Sequence, residues 1–303
     1  MKILIAGASG AIGQPLISFL RQFDQDVYGI TQSKERAHII AEKGAKPIIL
    51  DVLDRDAVNS AVADVRPDIV IDMLTRLPKE YTPEAMHKAA GLDSKIRLVG
   101  GANLQTAAES NGASRYIVQS SGFWYEQGAG LADEKTPFAF NATPGIAAGT
   151  KVYAEIENRV LKARKLDGVA LRFGFLYGPG TWFCSDGNMA DQVQKQQFPL
   201  IGKGQGVWNF IYIEDAVKAI ISAMDCTPGA YNIVNDSPMQ LCDWLPAFAK
   251  FVGAKKPEIL TEEEGMAQRG ADSVYYATKL RGASNTKAKD EFNFRPRKLE
   301  WLA

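Results

Sequence analysis

The sequence predicts an α/β fold, a doubly wound parallel sheet with a smaller C-terminal region. Short apolar runs without polar alternation, among them Ile3-Leu4-Ile5 and Ile69-Val70-Ile71, suit strands buried on both faces of a parallel sheet. Between them lie stretches with apolar residues at helical spacing, as at Ile12, Leu16, Ile17 and Leu20. Three glycines at three-residue spacing, Gly7, Gly10 and Gly13, join the first strand to the first helix.

Composition sets the bounds. The chain has 303 residues, 46% hydrophobic and 23% charged, which is ordinary for a globular protein of one or two domains. A formal net charge of zero argues against an extended nucleic-acid surface. No apolar run approaches the ~18 residues of a membrane span. The opening apolar run reads as a strand and not as a signal peptide, because only Lys2 lies between it and Met1 and glycines end it. Cys184, Cys226 and Cys242 have no metal-like spacing and read as reduced thiols, which places the protein in the cytoplasm. The two histidines, His38 and His87, each stand alone in a predicted helix, so neither a zinc site nor a serine–histidine hydrolase is expected.

The first strand, the glycine turn and the first helix form one device. Unpaired N–H groups at a helix N-terminus carry the positive end of its dipole and attract a pyrophosphate. Glycine lets ligand and neighbouring strand come close. The expected dinucleotide contacts here are Gly7, Ser9, Gly10, Ala11, Ile12 and Gly13. The second strand is Asp26–Thr31. An acid at its end would hold the adenosine ribose and favour NAD. The chain instead offers Thr31, Ser33, Lys34 and Arg36, hydroxyls and cations that suit a 2′-phosphate, so NADP is expected over NAD. Ser33 also reads as the N-cap of a helix over 34–43, ended by Gly44, and the two readings are compatible.

A third strand covers 47–51, a helix 55–65 and a fourth strand 67–74, with Asp72 read as a structural carboxylate. The stretch 81–95 is less regular and interrupted by Gly91, and 96–111 is a long helix. The fifth strand is 115–121. A glycine-, proline- and alanine-rich loop spans 128–150, and a helix begins at Lys151. A strand near 169–177, a helix over 189–197, an aromatic strand near 208–213, a helix over 216–224 capped by Asp215, a strand at 231–234 and a helix over 240–252 complete the pattern.

These motifs together resemble the extended and atypical members of the short-chain dehydrogenase/reductase superfamily, of the NAD-dependent epimerase/dehydratase kind. Gly7, Gly10 and Gly13 match its glycine spacing, with Ala6 where a threonine usually leads. Gly100-Gly101-Ala102-Asn103-Leu104 is similar to its Gly-Thr-x-Asn-Leu, with Arg97 where an asparagine commonly stands. Val118-Gln119-Ser120-Ser121 is similar to its fifth strand, and 171–180 to its Leu-Arg-x-x-x-Val-Tyr-Gly-Pro-Gly. The resemblance covers nearly the whole chain. It implies a Rossmann-like domain over 1–175, with 207–235 returning to it, and a substrate-binding region from 176–206 and 236–303. It implies Asp51 and Val52 at the adenine, Leu74 beneath the adenosine and phosphates, Phe175 on the strand that contacts the nicotinamide, and a possible homodimer.

The resemblance also implies chemistry. The superfamily uses a tyrosine four residues before a lysine that holds the nicotinamide ribose and lowers the tyrosine's pKa from its usual ~10. Lys151, with Glu155 four residues on, matches that lysine, but the tyrosine position is Ala147. Tyr153 stands about 200° around a helix from Lys151 and points away from it. Ser120, Ser121 and Tyr125 are the candidates for contact with the reacting oxygen. Phe175 replaces a common asparagine, and Trp182 and Phe183 follow, which suggests a less polar ligand than a sugar nucleotide. Three readings follow: an NADP(H) oxidoreductase acting on a small, fairly apolar carbonyl or hydroxy compound; an NADP(H) sensor without chemistry; or a nucleotide-sugar epimerase or dehydratase with a substituted acid/base.

Overall fold

A computed structural model describes residues 1–302. The first half alternates strand and helix: β1 Lys2–Ala6, α1 Gly13–Gln22, β2 Asp26–Thr31, α2 Lys34–Glu42, β3 Lys46–Ile49, α3 Arg55–Val65 and β4 Ile69–Asp72. Then come α4 Pro83–Lys95, a π-helical turn Ile96–Gly100, α5 Gly101–Ser110, β5 Arg115–Ser121, α6 Pro144–Leu161 and β6 Asp167–Phe173. The central sheet has seven strands in the order Gly229–Ile233, β6, β5, β4, β1, β2, β3. All neighbours are parallel. The strand order reverses direction at β1 and β4, and a doubly wound sheet opens its crevice there, beyond the strands' C-terminal ends.

The sheet is buried on both faces, as the unalternated apolar runs predict. Ile3, Ile5, Ile71, Ile117 and Val169 pack with α1 on one face. Leu4, Ala6, Val70, Tyr116 and Val118 pack with α3 and α5 on the other. The C-terminal region holds three two-stranded ladders, of which Phe175–Tyr177 against Phe210–Tyr212 continues from the end of β6. Trp208, Phe210, Trp244, Phe248 and Trp301 pack as a largely aromatic core behind it. No helix among the described residues is long and apolar enough to cross a membrane.

Four local expectations change. Gly91 does not interrupt a helix but lies within α4, which Thr82 caps through the amide of Ala85 and Pro83 opens. The long helix expected from 96 is instead α4 continued through the π-turn into α5. The helix expected from Lys151 begins seven residues earlier, at Pro144, whose fixed φ suits a first helical position. Asp215 lies inside the first turn of the helix Ile213–Ser222 and caps nothing. Its buried carboxylate accepts from the amide of Arg297 at 2.8 Å and so ties down the C-terminal tail.

Candidate active site

The phosphate end of the crevice is drawn tight by glycine. Gly7 has φ +81°, and a Cβ there would lie 2.4 Å from the Met73 carbonyl oxygen at the end of β4. A Cβ on Gly13 would lie 2.4 Å from the Ala8 oxygen and 2.5 Å from that of Gly7. Gly10 is different. It is exposed, and a Cβ would meet only the Gly7 oxygen, at 3.2 Å, so its outer side is open to a ligand. Ile12, buried against the core, precedes α1 with no side-chain cap, and no acid stands in the helix's first turn. Ser9 and Ala11 are half-buried beside it. First-turn amides without a cap, next to a glycine that lets a ligand approach, fit a pyrophosphate.

At the adenosine end no acid closes β2. Thr31 is buried and its hydroxyl has no partner within the protein. Ser33 accepts from the Arg36 amide at 3.2 Å as N-cap of α2. Lys34 and Arg36 are exposed, and neither side chain is ion-paired among the described residues. Asp51 is engaged: it accepts from Gln32 and from the Leu53 amide, each at 2.9 Å. Val52 and Leu74 are buried beneath, near Gly100, where a Cβ would come 2.7 Å from Val52. Asp72 accepts from Tyr116 at 2.7 Å and from the Leu74 amide at 3.0 Å, and burial pushes its carboxyl pKa up. It is a structural carboxylate.

The catalytic expectations divide. Ser120 donates to Glu157 at 2.5 Å, and Glu157 takes Arg172 through both oxygens, at 2.8 and 2.7 Å. Arg172 donates at 3.1 Å to the hydroxyl of Tyr125, which donates in turn to Asn232. These buried groups saturate one another and pin α6 to β5, β6 and the strand Gly229–Ile233. Ser120 and Tyr125 are therefore not free to meet a substrate. Tyr125 is 1% exposed, stacks on Phe138, and burial raises its pKa. Ser121 faces the other side of the sheet, buried, with no partner for its hydroxyl.

Lys151 also needs correction. The buried stripe of α6 runs through Ile146, Thr150, Ile156, Glu157 and Val160. Lys151 lies six residues before Glu157, about 120° around the helix, and is exposed. It lies off the buried stripe that packs on the sheet. The pair on the inward face at the same four-residue spacing is Gly149 and Tyr153. A Cβ on Gly149 would lie 2.4 Å from the indole of Trp124, so Trp124 fills the room where a tyrosine would stand. Tyr153 meets the same indole edge-on, with centroids 5.5 Å apart.

Around this pair the wall is aromatic. Phe175 is sandwiched between Phe123 at 4.3 Å and Trp208 at 4.2 Å, and its amide donates to the Asn209 carbonyl. Both ring and amide of Phe175 are thus committed within the protein. Trp124 donates at 2.8 Å to the hydroxyl of Tyr276, from the helix Glu262–Thr278. Tyr81 packs on Trp182 at 4.8 Å and near Phe183. Phe123, Trp124, Tyr153, Tyr276 and Gly149 were not singled out as site residues by sequence reasoning. The position of 123–124, just past the end of β5, was the available signal. Nothing local marked Tyr276, which lies 152 residues from Trp124 in sequence.

Comparison with known proteins bears on the fold and the family. The profile of the NAD dependent epimerase/dehydratase family matches residues 3–234. A Streptomyces protein named 3-diazoavenalumate denitrifying reductase is 35% identical, over 99% of this chain and 98% of its own. A Stigmatella aurantiaca protein named 4-hydroxy-2-methyl-3-oxo-4-farnesyl-3,4-dihydroquinoline-1-oxide ketoreductase is 22% identical, over 84% of this chain and 74% of its own. Among solved structures, Streptomyces venezuelae dTDP-glucose 4,6-dehydratase with NAD and TYD bound superposes with a TM-score of 0.77 at 15% identity, over 99% of this chain and 93% of its own. The UDP-glucose 4-epimerase of Thermus thermophilus in complex with NAD gives 0.75 at 21% identity, over 99% and 96%. At these identities the solved structures establish the fold.

Proposed function

The chain belongs to the NAD dependent epimerase/dehydratase family, whose members are oxidoreductases, epimerases and dehydratases, and from that premise we propose that it is an NADPH-dependent reductase of a flat, largely apolar aromatic compound bearing a diazo group. One observation carries the reading. On the inward face of α6 the tyrosine–lysine pair is replaced by Gly149 and Tyr153, and Trp124 occupies the vacated room. Reduction of a carbonyl needs a proton for its oxygen, and a tyrosine beside a lysine normally gives it. Replacement of an aryl diazonium group by hydrogen takes up one hydride and releases N2, and the net change needs no proton donor. The name of the 35% identical relative points to this chemistry.

The nicotinamide, when bound, supplies the hydride. Gly7, Gly10, Gly13 and the first turn of α1 hold the pyrophosphate. Ser33, Lys34 and Arg36 face the adenosine end and no acid closes β2, which supports NADP over NAD. Phe123 and Trp124 offer aromatic surface, and such surface attracts a cationic aromatic group. Their bulk also excludes water from the reacting centre.

The test mixes purified protein, NADPH and an ortho-diazophenol, and follows NADPH loss and N2 release together. Equal amounts of the two support the reading. Turnover of a nucleotide sugar or a ketone, with none of the diazo compound, overturns it. Cofactor choice is separable: NADPH is expected to bind more tightly than NADH, and Lys34→Ala/Arg36→Ala to weaken NADPH while leaving NADH unchanged, as read by nucleotide titration.

A further inference from the structure

Arg97 is the most unusual buried charge in the molecule. It sits in the π-turn Ile96–Gly100, at 4% exposure. Single π-turns inside helices concentrate at functional sites. Its Nε donates to Asp93 at 2.8 Å. Its two terminal nitrogens have no hydrogen-bond partner among the described residues, and Nη2 is fully buried. A buried guanidinium leaves four N–H groups unused only at a cost in desolvation. Asp93 neutralises one edge, and the opposite edge, Nη1 with Nη2, is the fork that binds carboxylates and other oxyanions bidentately.

Its surroundings place the guanidinium beside the aromatic wall. The guanidinium lies over the ring of Tyr153, 5.1 Å from the centroid, and Tyr153 in turn touches Trp124. The exposed Lys151 is on another face of α6 and Arg172 is taken up by Glu157, so Arg97 is the cation that meets Tyr153.

We propose that Arg97 is the specificity-determining cation of this active site and binds an oxyanion of the aromatic substrate, a carboxylate or a phenolate, with Tyr153 as the platform that orients it. This rests on the aromatic-ligand reading above. It does not depend on the diazo group.

The test is calorimetric titration of the full chain with NADP⁺ present, using four ligands. These are 4-hydroxy-3-nitrobenzoate, its 4-methoxy ether (carboxylate alone), its carboxamide (phenolate alone) and the uncharged 4-methoxy-3-nitrobenzamide. The wild type is expected to bind an ionised ligand about tenfold or more tightly than the uncharged one, as charge-assisted hydrogen bonds allow. The two singly ionised ligands say which oxyanion is read. Arg97→Gln is expected to abolish that preference while keeping affinity for the uncharged ligand, and Arg97→Lys to restore part of it. A wild type without charge preference overturns the assignment, and needs no variant to fold. Equal weakening of all four ligands by Arg97→Gln overturns it too, since that is a structural effect. Binding of none of the four removes the aromatic reading with it. Charge preference without N2 release keeps Arg97 in this role and removes only the diazo substrate.

Discussion

At the scale of single residues, the site turns on a two-residue difference along one helix. Lys151 carries the family's local pattern, with Glu155 four residues on, yet its side chain is exposed. Lys151→Ala is therefore expected to leave NADPH affinity and turnover within about twofold of wild type, the usual range for a surface substitution. A large loss of turnover would return Lys151 to the mechanism. Tyr125 is the opposite case. Tyr125→Phe leaves the buried Asn232 oxygen without its donor and takes one acceptor from Arg172. The expected cost is about 1–3 kcal/mol of stability, read by urea unfolding, with kcat unchanged.

At the scale of elements, two junctions set the chemistry. The β1–α1 turn is held so closely that Gly13→Ala would drive a Cβ into the Ala8 and Gly7 carbonyls. Backbone cannot yield there as a flexible side chain would, so this variant is expected to lose the rise in Tm that NADPH gives the wild type. The other junction joins β4 to the π-turn and α5, where Asp72 is buried with a raised pKa. A carboxyl whose folded pKa lies above its unfolded value binds more protons in the native state. It therefore loses stability as pH rises from ~3.9 through the folded value. Wild type is expected to lose ground to Asp72→Asn over that rise, measured by urea unfolding across a pH series. A difference that does not change with pH would show that the two states titrate alike.

At the scale of the whole molecule, one of the hydrogen bonds that join the two halves of the chain lies in the aromatic wall, from Trp124 to Tyr276. Tyr276→Phe is expected to weaken the aromatic ligand while leaving NADPH binding unchanged, because among the described residues no hydrogen bond or ring contact joins Tyr276 to the glycine turn. Saturating NADPH is expected to stabilise both proteins equally, by roughly 2.7 kcal/mol at a hundredfold excess over Kd. An unequal response in thermal melts would place Tyr276 at the cofactor instead.

Much of this was legible in the amino-acid order. The seven-stranded sheet follows from apolar runs such as 3–5 and 69–71, since strands buried on both faces carry no alternation. The glycine turn was legible because steric room is a local property of the chain. So was the absence of an acid after β2. The inward face of α6 was not. Lys151 with Ala147, and Tyr153 with Gly149, are both four-residue pairs on a helix, and spacing alone does not say which pair turns inward. That is decided by Glu157, which meets Ser120 from β5 and Arg172 from β6 and so rotates the helix to its final setting. Tyr276 and Arg97 became site residues for the same reason. The sequence by itself determined the sheet, the glycine turn and the loss of the tyrosine from the tyrosine–lysine pair. Only tertiary packing decided what stands in that pair's place, because the deciding contacts join residues tens to more than a hundred positions apart.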